Sequence, residues 1–188
     1  MLRSRTAARE ALLSILYQVE IGRVTPKKAT EDVLEREIYT PEIMNFIRQM
    51  MMGIENNLEK IDFIIRSFLA PGWTYDRVTV IDRNVLRIAC YELFYEENIP
   101  PKSSINEAVT LSKKFGTLEN SRFVNGVLGR MLETSPKANW DPAKHQEEEI
   151  LETDEEKEES KEVILIQEGS KEHQEIQKIK SPKQRSES

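Results

Sequence analysis

Eleven residues in the second half of the chain, KKFGTLENSRF at 113–123, bring together Lys113, Lys114, Phe115, Gly116, Arg122 and Phe123. Ammonium and guanidinium groups neutralise phosphates, and aromatic rings stack on unpaired bases. Gly116 separates two apolar-periodic segments, so a helix N-terminus with its backbone donors is expected to follow it. These residue types suit single-stranded nucleic acid. A plainer reading stands beside that one: Phe115 and Phe123 are both candidates for the core, and at least one is expected there.

A second group lies at the start. Arg3, Arg5 and Arg9 load the first helical turns, and Glu10 is the only acid before Glu20. Cations at a helix N-terminus oppose the macrodipole, and Arg5 and Arg9, four apart, share a face and repel modestly. They continue the edge of the Leu12/Leu16 stripe, so they are expected beside the core. Phosphate binding and a merely solvated first turn both fit. The third feature is Asn125-Gly126 within RFVNGVL. Asn-Gly between apolar residues is a strong hairpin signal. Here Phe123, Val124, Val127, Leu128, Met131 and Leu132 recur at helical spacing, so the pair is read as helical. A glycine there costs about 1 kcal/mol relative to Ala, which points to close helix–helix packing at Gly126 or to a site.

Nucleophilic and metal chemistry find little support. Cys90 is the single cysteine, and it lies in a helical pattern; the two histidines, His145 and His173, fall in a polar tail. That gives neither a disulfide nor a Cys/His zinc set, and no cofactor is expected. No apolar run approaches the roughly 20 residues of a membrane helix, and the N-terminus lacks an apolar targeting core. A cytoplasmic protein without membrane association is expected.

Charge divides the chain. Residues 144–188 hold 14 acidic against 8 basic side chains, which accounts for the whole formal charge of −6; the remainder balances. The acidic pI therefore describes the tail and does not argue against nucleic acid for the body. HQEEEILETDEEKEESKE cannot bury enough surface to offset its ordering entropy. The expected organisation is a helical domain at 1–135, a linker at 136–143 and a disordered charged tail at 144–188. VILIQ (163–167) is either a short docking motif or an apolar accident. The tail is expected to compete with nucleic acid for the basic face, so deleting 144–188 should tighten that binding at low salt.

The elements that would position these groups are all helices. AAREALLSILYQV (7–19) places Ala8, Leu12, Ile15, Leu16 and Val19 on one stripe, with Gly22 as the stop. Thr25-Pro26 and Thr40-Pro41 are N-caps followed by Pro at the first helical position. They start helices running to about Arg36 and Leu69, the second bent near Gly53. Asp76 is expected to cap a central helix through VIDRNVLRIACYELF. Ser104 and Glu107 read as a capping box for a helix ending at Gly116, and a last helix spans about Glu119 to Leu132. The fold class is all-α.

Three blocks carry a resemblance: RSRTAAREALLSILYQVE at the start, IDFIIRSFL at 61–69, and DRNVLRIACYELFYEENIPPKSSINEAVTLSKKFGTLENSRFVNGVLGRM from Asp82. In order and spacing they resemble the NusB family over residues 3 to about 133. The resemblance implies a compact all-α fold of two small helical halves, and an adaptor in place of an enzyme. It implies binding of boxA-type single-stranded RNA together with NusE, a small-subunit ribosomal protein. It also implies assembly with NusA, NusG and RNA polymerase in antitermination, notably of ribosomal RNA transcription. The family's arginine-rich helix falls on Arg3, Arg5 and Arg9, with Thr6 and Ala7 where some members have further arginines. Tyr17 matches a position near the RNA surface. The loop before the last helix implies RNA contact by Lys113, Lys114, Phe115, Gly116, Arg122, Phe123 and Asn125. The NusE face is implied on the central helix around Asp82. Arg83 and Arg87, on one helical face, are read as making internal ion pairs, with Glu92 or Asp62, and stay outside the site. Two alternatives remain: a helical adaptor that binds only protein, and the N-terminal type of domain found in ribosomal RNA cytosine methyltransferases, for which the Gly-rich loop of a cofactor domain is missing.

Overall fold

The computed structural model describes residues 4–142; Arg3, VILIQ and the tail at 144–188 lie outside them. Six α-helices and one 3-10 turn make up the described chain: α1 (Arg5–Gly22), α2 (Pro26–Arg36), α3 (Pro41–Ser67), the turn Tyr75–Arg77, α4 (Val80–Phe94), α5 (Pro101–Phe115) and α6 (Leu118–Thr134). The first three pack together, the last three pack together, and α4 lies against both α1 and α3. These are the two helical halves. α4 is the shared spine, and every residue from Asn84 to Leu93 is buried.

Local chemistry sets most boundaries. Thr25 and Thr40 cap α2 and α3 through their hydroxyls, and each is followed by Pro at the first helical position. Ser4 caps α1 by accepting from the Ala7 N–H at 3.1 Å. α1 stops at Gly22 as expected, and the left-handed residue that follows is Arg23, at φ 52°. Two expected boundaries are corrected. Thr79 caps α4, while Asp76 sits in the preceding 3-10 turn. α5 starts at Pro101, so Ser104 and Glu107 lie inside the helix and form no capping box; Ser104 is back-bonded to Pro100. Asn125-Gly126 is helical, as the period required.

The two mid-helix glycines differ. α3 runs unbroken through Gly53, where a Cβ would collide with the Tyr91 ring of α4, so this glycine lets two helices approach. A Cβ at Gly126 would meet nothing within 4 Å. The expectation of close packing there is therefore overturned: Gly126 is exposed.

Partly buried ions join the halves. Glu20 of α1 receives hydrogen bonds from Arg83, Asn84 (3.2 Å) and Arg87 (2.8 Å) of α4. Arg87 also grips Asp62 of α3 with two bonds of 2.8 Å. The Arg87–Asp62 pair is as expected, whereas Arg83 pairs with Glu20 and Glu92 pairs with Arg9. After α6 the chain turns back on the α4–α5 connector, where Lys137 donates to the Ile99 carbonyl. Burial pulls the Lys137 ammonium down to about 8.

Candidate nucleic-acid interface

The end of α5 and the start of α6 build the basic-aromatic segment. Lys113 and Lys114 occupy the last turn of α5, where cations favour the macrodipole. Gly116 ends the helix, its N–H bonded to the Ser112 carbonyl at 2.9 Å. A Cβ at Gly116 would stand 2.8 Å from that carbonyl oxygen, so close approach of the backbone selects glycine here. Thr117 then caps α6, accepting from the Asn120 N–H at 3.2 Å.

A buried carboxylate fixes this corner. Asp82, 2% exposed at the start of α4, accepts from Ser112 Oγ at 2.7 Å and Thr79 Oγ1 at 2.6 Å, and from the Asn120 amide. One side chain thus ties together α4, the end of α5 and the start of α6. The expectation that Asp82 contacts a partner is corrected: its oxygens are engaged within the chain, and the rest of α4 is nearly all buried.

The expected residues separate into groups. Lys113, Lys114, Phe115, Gly116, Arg122 and Asn125 are exposed, Phe115 at 46%. Phe123 is half-buried and stacks on Trp73, with centroids 5.0 Å apart, so Phe115 is the ring that faces solvent. Tyr17 is 41% exposed. Arg5 is half-buried, its guanidinium 5.4 Å from the centre of the Phe46 ring. Arg9 is the clear correction: it is 4% exposed, and its Nε donates to Glu92 at 2.8 Å. The exposed residues of α1 are Tyr17, Ile21 and Gly22, while Arg5, Thr6 and Glu10 are half-buried and Arg9 is buried, so helix 1 shows less positive charge than its sequence suggests.

Two distant segments nevertheless meet. Lys114 pairs with Glu10, which docks the end of α5 on α1. Beside that pair lies a groove of about 400 Å³ between α1 and α2, with Phe115 as one wall. Glu10 and Tyr39, which line the groove with Phe115, and Trp73, which stacks on Phe123, were missed because only the fold brings them there. Trp73, in the PGW break, carried the one available signal, a large aromatic in a loop. Cys90 is buried, and burial pushes its thiol to about 12, which leaves no reactive thiolate at neutral pH.

The NusB family profile matches residues 6–133 of the chain. The chain belongs to the NusB family. The transcription antitermination protein NusB of Desulforamulus reducens is 37% identical over 134 residues, 71% of this chain and 93% of the relative. That of Bacillus cereus (strain B4264) is 40% identical over 131 residues, 69% and 98% of the two chains. A solved NusB structure from T. maritima superposes with TM-score 0.69 at 35% identity, covering 74% of this chain and 99% of that one. A solved complex of the antitermination factors NusB and NusE with double-stranded RNA matches with TM-score 0.64 at 26% identity, over 69% and 96%. Both curated relatives carry the name of a transcription antitermination protein. Among the described residues, no helix is long and apolar enough to cross a membrane.

Proposed function

We propose that this NusB-family chain binds boxA-type single-stranded RNA together with NusE, and helps assemble the antitermination complex with NusA, NusG and RNA polymerase, notably on ribosomal RNA transcripts. The observation that carries the reading is the Lys114–Glu10 contact. It sets the basic-aromatic turn against α1, so two segments with suitable chemistry form one surface. Support also comes from the NusB relatives and from the NusB–NusE–RNA complex of the same fold.

On this reading Lys113, Lys114 and Arg122 neutralise phosphates, an affinity that weakens as salt rises. Arg5, beside Phe46, is a further candidate for phosphate contact, and so is Arg3, which lies outside the described residues. Phe115 and Tyr17 offer faces to unpaired bases, and Asn125 offers an amide to base edges. Gly116 holds the turn, and Phe123 backs it through Trp73. Arg9 and Asp82 act from inside as supports. NusE then docks on elements that flank Asp82, and the two ligands strengthen each other reciprocally.

A second reading, an adaptor that binds protein alone, draws on the burial of Arg9, which takes one arginine off the α1 surface. Fluorescence anisotropy of a labelled boxA RNA, at two salt concentrations and with or without NusE, separates them. RNA binding that NusE tightens, and that Lys113→Ala/Lys114→Ala loses, supports the adaptor for RNA. NusE binding with no RNA binding under either salt would transfer the case to the protein-only module.

A further inference from the structure

The groove beside Phe115 has a composition that a phosphate-binding surface does not need. Ala7 and Ala11, one turn apart on α1, leave room along its floor, and Val33 and Tyr39 close it from the α2 side. Its lining also includes Arg36 and two acids, Glu10 and Glu37. Lys114 occupies Glu10. Glu37 follows the last residue of α2 and is exposed. Both carboxylates act on the same neighbour: burial raises the Tyr39 phenol, and the negative charges of Glu37 and Glu10 raise it further. Glu10, Glu37 and Tyr39 all line the same groove. Carboxylates repel phosphate and attract N–H donors, while an exposed aromatic wall favours a flat ring.

We propose that this groove takes one unstacked guanine base from the bound RNA, its face against Phe115 and its Watson–Crick edge toward Glu37. The inference rests on the RNA-binding reading above and adds a specificity-determining residue to it. A volume of about 400 Å³ lies at the small end of ligand pockets and suits a single nucleoside. The choice among bases follows from edge chemistry. Guanine presents two adjacent donors, N1–H and the N2 amine, which one carboxylate accepts in parallel. Adenine and cytosine present one donor beside an acceptor. Uracil presents its one donor between two carbonyls, which a carboxylate opposes. Lys114 and Arg36 flank the mouth and meet the phosphates on either side of the inserted nucleotide.

The test uses the full chain with NusE and four labelled 12-nucleotide RNAs. Each is oligouridine with a single central G, A, C or U. Anisotropy titrations should show the G-containing RNA bound at least about tenfold more tightly than all-U, as a bidentate base contact implies. Glu37→Gln, a change on an exposed side chain, should reduce that ratio below about twofold while leaving all-U binding unchanged. An unchanged thermal melt shows that the variant is folded. Equal affinity for all four RNAs in the unsubstituted protein overturns the guanine assignment and leaves the RNA reading standing. Absence of binding to every RNA overturns both. If Glu37→Gln instead weakens NusE binding and spares the base preference, the groove belongs to the protein partner.

Discussion

Arg9 Nε stands 2.8 Å from Glu92 Oε1, and the two side chains are 5% and 1% exposed. An arginine at the start of a helix is thus an internal tie between the first helix and the spine, with Glu107 of α5 4.0 Å from its other arm. Removing one member of such a pair leaves an uncompensated buried charge.

Arg9→Ala should therefore cost about 3–5 kcal/mol of stability, read from the urea midpoint. Arg9→Met combined with Glu92→Leu should recover most of that loss, because the apolar pair removes both charges. If Arg9→Ala keeps its midpoint and loses only RNA affinity, Arg9 is a direct contact and the internal assignment is wrong.

Gly126 makes the opposite prediction. It is helical and exposed, and a Cβ there meets nothing. Gly126→Ala should raise stability by about 1 kcal/mol, the ordinary helix-propensity gain. Arg122, Asn125 and Gly129 share its exposed face, so the methyl group stands where RNA is proposed to lie. A stabilised variant with weaker RNA binding would show the glycine is kept for contact. Unchanged affinity would remove this face from the interface.

What the sequence revealed and concealed follows the range of the interaction. Thr25-Pro26 and Thr40-Pro41 were legible because a cap and its proline act over three residues. The helical state of Asn125-Gly126 was legible from apolar period alone. Ser104 and Glu107 misled because the motif fits, while Pro101 already begins the helix three residues earlier. Arg9 and Asp82 misled for a different reason. Both sit at the margin of an apolar stripe, and whether such a side chain faces water depends on a partner far along the chain. For Arg9 that partner is 83 residues away, and for Asp82 it is 30 and 38 residues away. Periodicity carries no information about those distances.

Asp62 gives a pH signature. Burial raises its carboxyl, but the hydrogen bonds from Arg87 and Tyr75 outweigh that and hold it below the usual value near 3.8. A carboxyl lowered in the folded state binds fewer protons than in the unfolded chain. Its stabilisation is therefore present above about pH 3.8 and is lost as pH falls through the folded value. Asp62→Asn should be less stable than the unsubstituted protein at pH 6, since Arg87 loses its charge partner. The gap in Tm should narrow between pH 4 and pH 2, on the order of the carboxyl's titration range. Melting curves that stay parallel over that interval would show that Asp62 is not the group responsible.

Asp82 allows the sharpest separation of support from contact. Its carboxylate accepts from Thr79, Ser112 and Asn120, and Ser112 is fully buried. Hydrogen bonds to a charged group contribute about 1.5–3 kcal/mol each, and they are not additive within one cluster. Asp82→Ala should lower stability by about 3 kcal/mol and release the turn at 113–120. Asp82→Asn keeps the shape but turns one acceptor into a donor aimed at other donors, so an intermediate loss is expected. Amide hydrogen exchange of Gly116 through Asn120 distinguishes the two roles. Faster exchange there in Asp82→Asn, together with weaker RNA binding, marks Asp82 as the residue that positions the turn. Unchanged exchange with weakened NusE binding would instead return Asp82 to the partner surface.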